Sequence, residues 1–172
     1  MIMRSGQQLL LPANPLFIWG SLVVALLLNM LPLGRVAWMP DFLALVLLFW
    51  NVHQPLRVSV GLAFMFGLFM DVHQTSLLGQ HALSYTALSY FASLIQRRLL
   101  WYTVPLQALQ VLPLFVAAHA VQLVIRLMGS GIFPGWMVLV APLAEALLWP
   151  VASVLLLVPQ RRAPDRDENR PL

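Results

Sequence analysis

The sequence predicts an all-α polytopic membrane protein of six transmembrane helices with both termini in the cytoplasm. Three observations predict it. First, the 172 residues are 60% hydrophobic and only 9% charged, with a mean hydropathy of +0.83. A soluble domain is about a quarter charged and roughly half apolar, and a chain this short has too small an interior to hide the surplus, so its solvent must be lipid. Second, the apolar residues fall into six runs divided by short polar or Pro/Gly breaks. Third, the arginines sort to one side of the membrane once six crossings are drawn.

In chain order, a polar lead (Met1 to Pro15) opens into the first span, Leu16 to Leu33, with Trp19 near its end as interfacial aromatics are and Asn29 expected in an interhelical hydrogen bond. With only Arg4 before it and no small-residue cleavage pattern after it, this run reads as a retained anchor. Gly34 to Pro40 forms a tight loop, and Pro40-Asp41 marks a helix start with an acid in the first turn. The second span, Asp41 to Val52, and the third, Val58 to Val72, are short and separated by His53-Gln54-Pro55-Leu56-Arg57, which predicts a helical hairpin, with a re-entrant pair as the alternative.

The fourth span runs from about His81 to Ile95, with Tyr85, Ser89 and Ser93 four apart on one face, and Gln96-Arg97-Arg98 stops it. The fifth covers Tyr102 to Leu127, where Pro105 and Pro113 predict bends; Gly129 to Gly135 is a turn. The sixth covers Trp136 to Val158, with bends predicted at Pro142 and Pro150. Residues 1–158 thus form one transmembrane domain, and residues 159–172, PQRRAPDRDENRPL, are expected to be a disordered cytoplasmic tail.

Six spans place Arg4, Arg57, Arg97, Arg98, Arg161, Arg162, Arg166 and Arg170 on one side and only Arg35 and Arg126 on the other. That bias assigns the termini to the cytoplasm and turns the Asp71 loop outward; five spans would export the tail with its four arginines. The formal charge of +4 comes from arginines scattered at segment ends, so they read as topology determinants and not as a nucleic-acid surface. Without cysteine, disulfides, thiolate chemistry and Cys-ligated metals are excluded.

Within this frame one stripe stands out. Ser59, Ala63, Gly67 and Asp71 fall four apart, so a helix gathers three small residues and an acid on one narrow face. Small residues let a second helix approach closely, which in lipid replaces the drive that water supplies. Leu78-Gly79 closes the loop that follows. Asp71 then either caps the loop amides after it or receives a ligand or partner from outside. The stripe either closes the protein's own bundle or offers a binding face.

Glu145 is the anomaly, because an ionised acid inside a span costs at least about 2.5 kcal/mol. His119, Gln122 and Arg126 share a face of the fifth span. Counting about 1.5 Å per residue from the outer ends puts Glu145 about 16 Å deep and His119 about 12 Å, within reach of a mutual hydrogen bond. An intramembrane polar network of His119, Gln122, Arg126 and Glu145, between helices or with a partner's helix, is the structural reading; a proton or substrate path is the functional one, and a protonated, nearly isolated Glu145 is the third. His73 and His81 have no third ligand, so neither a metal nor another cofactor is expected. No phosphate-cradling glycine loop, HExxH or G-x-S-x-G is present, and the chain reads as non-enzymatic.

Several of these features carry a likeness. The small size, the polar lead, Met39-Pro40-Asp41-Phe42-Leu43, Pro55-Leu56-Arg57-Val58 with Gly61, Gly67-Leu68-Phe69-Met70-Asp71 followed by Ser76-Leu77-Leu78-Gly79, and Leu148-Trp149-Pro150 come in an order and spacing that resembles the MreD family of bacterial rod-shape inner-membrane proteins, over about residues 16–158. The G-x-x-x-D run with its following L-G is the most specific of them. The resemblance implies a milder polar residue at the position of Glu145, so an acid there is a departure. It also implies a non-enzymatic member of the cell-elongation machinery in the bacterial inner membrane. Such a protein binds MreC and works in one complex with MreB, RodA and an elongation penicillin-binding protein during lateral peptidoglycan synthesis. The family is similar in fold to the S-components of vitamin transporters, so an S-component-like bundle is expected. A small-molecule carrier of that type, with a pocket near Asp71 and His81, is the alternative.

Overall fold

The computed structural model describes residues 14–31 and 39–160. Residues 1–13, the end of the first run at Leu33, the loop with Arg35 and Trp38, and the tail from Arg161 lie outside the described residues. Among the described residues the chain forms six α-helices and no strand. They are α1 (Pro15–Met30), α2 (Phe42–His53), α3 (Val60–Gln74), α4 (Gln80–Leu99), α5 (Val104–Ser130) and α6 (Val140–Leu157). Single 3-10 turns, Trp136–Leu139 and Val158–Gln160, extend α6 at both ends.

Local chemistry sets the helix ends. Asn14 Oδ1 accepts the Leu16 N–H at 3.0 Å, and Pro15 follows at the first helical position, where no donor is needed. Asp41 is the N-cap of α2 and accepts the Ala44 N–H at 2.9 Å. α3 stops at Thr75, whose φ of 50° is left-handed, and α5 stops at Gly131. Among the described residues only Pro113 and Pro150 lie in helix interiors. Pro105 and Pro142, expected to bend their helices, stand instead in the opening turns, where the amides have no intrahelical carbonyl to lose.

The helices are arranged around α2 and α4. α2 packs against α1, α4 and α6, and α4 packs against α2, α3 and α5. α5 and α6 close the inner group, while α1 lies against α2 and α3 against α4. α2 is therefore almost wholly enclosed: Leu43, Ala44, Leu45 and Leu47 to Val52 are buried. Phe49 meets Trp50 edge to face at 5.1 Å and tilts against Trp149 of α6 at 6.2 Å. Hydrogen bonds from side chains stitch four of these pairs, α1–α2, α2–α4, α5–α6 and α4–α5. Trp50 donates to Ser21, Asn51 to Ser89, Trp149 to Gln107, and Ser84 to the Ala118 carbonyl.

The outward faces are apolar. Phe64, Met65, Phe69 and Val72 of α3, Leu94 of α4 and Leu147 and Leu155 of α6 are all exposed. α5 and α6 with its flanking turns (Trp136–Gln160) are long and apolar enough to cross a membrane. α1, α2 and α3 are apolar but shorter, and α4 carries Gln80, His81, Gln96, Arg97 and Arg98. The 12 residues of α2 rise about 18 Å, well short of a hydrocarbon layer of about 30 Å.

α3 and α4 touch backbone to backbone at Gly67. A Cβ there would lie 2.6 Å from the Ala82 nitrogen and 2.8 Å from the His81 carbonyl carbon, distances that no side-chain rearrangement relieves. Ala63 and Asp71 of the same stripe are buried beside it, while Ser59 at the head of α3 is exposed. Gly67→Ala is expected to cost about 1–3 kcal/mol, as overpacking does. Gly61→Ala, whose new methyl meets only the Ser59 hydroxyl at 4.0 Å, is expected to be neutral or mildly stabilising. Thermal unfolding of both variants in detergent checks this; equal melting temperatures would refute the close contact.

Candidate functional site

Two buried polar clusters lie at the end of the bundle where α2 and α4 begin. The first forms around the start of α2. A helix leaves its first N–H groups without carbonyl partners, and inside an apolar bundle water does not supply them. Here side chains do. The Asp41 N–H donates to Glu145 Oε1 of α6 at 2.9 Å, and the Phe42 N–H donates to Asn29 Oδ1 of α1 at 3.0 Å. Asp41 Oδ1 takes the Ala44 N–H at 2.9 Å and also accepts Asn29 Nδ2 at 2.6 Å. Asp41 Oδ2 accepts the Tyr85 hydroxyl of α4 at 2.5 Å. Glu145 Oε1 also lies 2.8 Å from His119 Nε2 of α5, within hydrogen-bond distance. Five helices thus meet at the first turn of α2. Glu145 is fully buried, and among the described residues no group bonds its Oε2.

The second cluster does the same for α4. Asp71, 1% exposed, ends the stripe on α3 and faces the loop that leads into α4. Its Oδ2 accepts the Gly79 N–H at 2.8 Å and the Ala82 N–H at 3.3 Å. Its Oδ1 accepts the His81 N–H at 2.7 Å, His81 Nδ1 at 2.9 Å and the Ser76 hydroxyl at 3.0 Å. The carboxylate lies against the positive end of the α4 dipole, the favourable place for an acid. Gly79 is the N-cap of α4 at φ 102°, a conformation that side chains resist, and it aims the three amides at one carboxylate. His81 and Tyr85, one turn apart on α4, touch edge to face at 5.9 Å and join the two clusters.

The residues singled out in the sequence divide as follows. Ala63, Gly67, Asp71 and Gly79 come together at the α3–α4 contact; Ser59 makes no capping bond, and Leu78 points outward, 77% exposed. His119 and Glu145 meet directly. Gln122 is one turn along and donates to Ser84 Oγ at 3.1 Å, while Arg126 is exposed and outside the cluster. Sequence reasoning treated Asp41 only as a helix start and Tyr85 only as part of a packing face. The signal for Asp41 was present, since a Pro-Asp pair before a 12-residue apolar run implies a cap below the surface. Tyr85 gave none, because its partner lies 44 residues away.

Every short contact in these clusters brings an N–H or O–H onto an acid or amide oxygen. Among the described residues no three His, Cys, Asp or Glu groups are placed to hold a metal ion. The chemistry of the site is the holding of helix starts. If so, Glu145→Gln, which keeps an acceptor for the Asp41 N–H, is expected to stay within about 1 kcal/mol of the parent. Glu145→Leu strands that amide and is expected to lose about 1–3 kcal/mol. Thermal unfolding in detergent distinguishes them. Proton flux in liposomes that Glu145→Gln abolishes would instead assign Glu145 to a proton path.

The model of the family described as rod shape-determining protein MreD matches residues 12–158. The rod shape-determining protein MreD of Haemophilus influenzae is 34% identical over 140 residues, which span 78% of this chain and 84% of the relative. No solved structure matches the chain. Both matches name a determinant of rod shape. On the extent of both, the chain belongs to the MreD family of rod shape-determining proteins.

Proposed function

We propose that the chain is a non-enzymatic scaffold of the cell-elongation complex, crossing the bacterial inner membrane six times with both termini in the cytoplasm. On this reading it binds MreC and, in one complex with MreB, RodA and an elongation penicillin-binding protein, supports lateral peptidoglycan synthesis. One observation carries the scaffold reading: the half-buried Asp41 and the buried Asp71 and Glu145 all bond helix-start amides, while the helices present apolar faces outward. Such a molecule offers broad apolar surface to neighbouring membrane proteins.

Six crossings are supported by the alternation of helix directions and by the arginines. Arg57, Arg97 and Arg98 lie at the end where α3 begins and α4 stops, and the buried acids gather toward the opposite end. The short α2 fits a membrane because its first turn is solvated by side chains within the bundle. The carrier alternative needs Asp71 and His81 to face a pocket. Both are buried and bonded to each other, which takes away its support.

Two tests follow. The chain has no cysteine, so single replacements report topology cleanly. Leu56→Cys is expected to react with a membrane-impermeant thiol reagent only after the cytoplasmic side is opened, and Leu78→Cys in intact cells; the reverse pattern would overturn the orientation. A photo-crosslinker at Phe64 or Phe69 on α3, or at Leu94 on α4, is expected to capture MreC. No capture from any outward face, together with normal rod shape after gene deletion, would overturn the scaffold reading.

A further inference from the structure

The mouth of a groove opens where α1 and α3 begin. It encloses about 380 Å³, within the range of about 300–1,000 Å³ typical of small-ligand sites. Its walls are Ile18 and Leu22 of α1 and Val58 and Leu62 at the head of α3, with Trp19 on the rim. Ile18, Leu22 and Val58 are buried at its floor. Its one charged lining group is Arg57, exposed and directly before Val58. α1 and α3 start at the same end of the bundle, and the groove is lined by residues from both starts.

A slot with apolar walls and a single cation at its open end is complementary to an amphiphile whose head is anionic. The rim tryptophan is of the kind that sits at headgroup level. The first turn of α3 adds to the positive potential, since it carries no acid and Ser59 leaves its amides uncapped by a side chain. The five donors of a guanidinium let Arg57 bind a phosphate alongside its contact within the protein.

We propose that this groove holds one anionic phospholipid, its phosphate on Arg57 and one acyl chain between Ile18–Leu22 and Val58–Leu62. The inference rests on the membrane reading given above, in which this end faces the cytoplasm; basic pockets between helices on that side are suited to anionic headgroups. The lipid fills the space between two helices that are each held from one side, α1 by α2 and α3 by α4. It binds the folded bundle and so stabilises it by mass action.

The test uses the full chain purified in a neutral detergent, with melting temperature read against added phosphatidylglycerol, phosphatidylcholine of the same chains, or glycerol phosphate. Phosphatidylglycerol is expected to raise the melting temperature in a saturable way, and the other two to leave it unchanged. Arg57→Gln is expected to weaken the apparent affinity about fivefold, the scale of one arginine–lipid contact. Arg97→Gln, at the same end but outside the groove, is expected to leave it unchanged. Leu62→Trp fills the slot and is expected to abolish the shift while melting normally without lipid.

Equal responses to the two lipids, an effect of Arg97→Gln as large as that of Arg57→Gln, or an unaffected Arg57→Gln would overturn the site. So would a flat lipid titration with a co-purified polypeptide crosslinked from position 62, which would make the occupant a partner's helix. Failure of the topology reading shows separately, as labelling of Leu56→Cys from outside, and would overturn the leaflet assigned to the lipid.

Discussion

A helix that begins within an apolar bundle carries N–H groups that its own carbonyls cannot reach, and much of this structure is arranged to meet them. An unpaired buried amide costs about 1–3 kcal/mol, so several together would forbid the arrangement. α2 and α4 both begin in this way. The acids at their starts, Asp41 and Glu145 for α2 and Asp71 for α4, are the acceptors. Each stands at the positive end of a helix dipole, where negative charge is favoured. An acid that seems out of place along the membrane normal is therefore in place relative to the backbone it serves.

The same constraint explains why small residues surround Asp71. Its carboxylate spans amides from Gly79 to Ala82 only if α3 and α4 lie against each other, and Gly67 permits that approach. A larger residue would separate the helices and lengthen every bond to Asp71. The Gly67–Asp71 run with the following Leu78-Gly79 thus works as one unit: close contact, acceptor, and a left-handed glycine that aims the donors.

For function, the consequence is a division between interior and surface. Asp41 and Glu145, with Tyr85, His119 and Asn29, hold α1, α2, α4, α5 and α6 at a common point. The scaffold reading proposed above asks for a frame of fixed geometry with broad apolar faces, and this chain has both.

The sequence by itself determined the family and the number and approximate limits of the helices among the described residues, and it singled out Asp71 and Glu145. Those properties are written in local order: apolar runs, Pro-Asp and Leu-Gly punctuation, and residues four apart on one face. The pairing of His119 with Glu145 was also within reach, because two antiparallel helices joined by a short turn align their depths. What only the tertiary structure decided is the use of each group. The stripe from Ala63 to Asp71 is taken up by α4, Arg126 stands apart from its helical neighbours His119 and Gln122, and Asp41 with Tyr85 forms the centre of the hub. These depend on which helices lie side by side and on how far into the bundle each one starts, and contacts spanning 44 and 104 residues leave no local pattern to read.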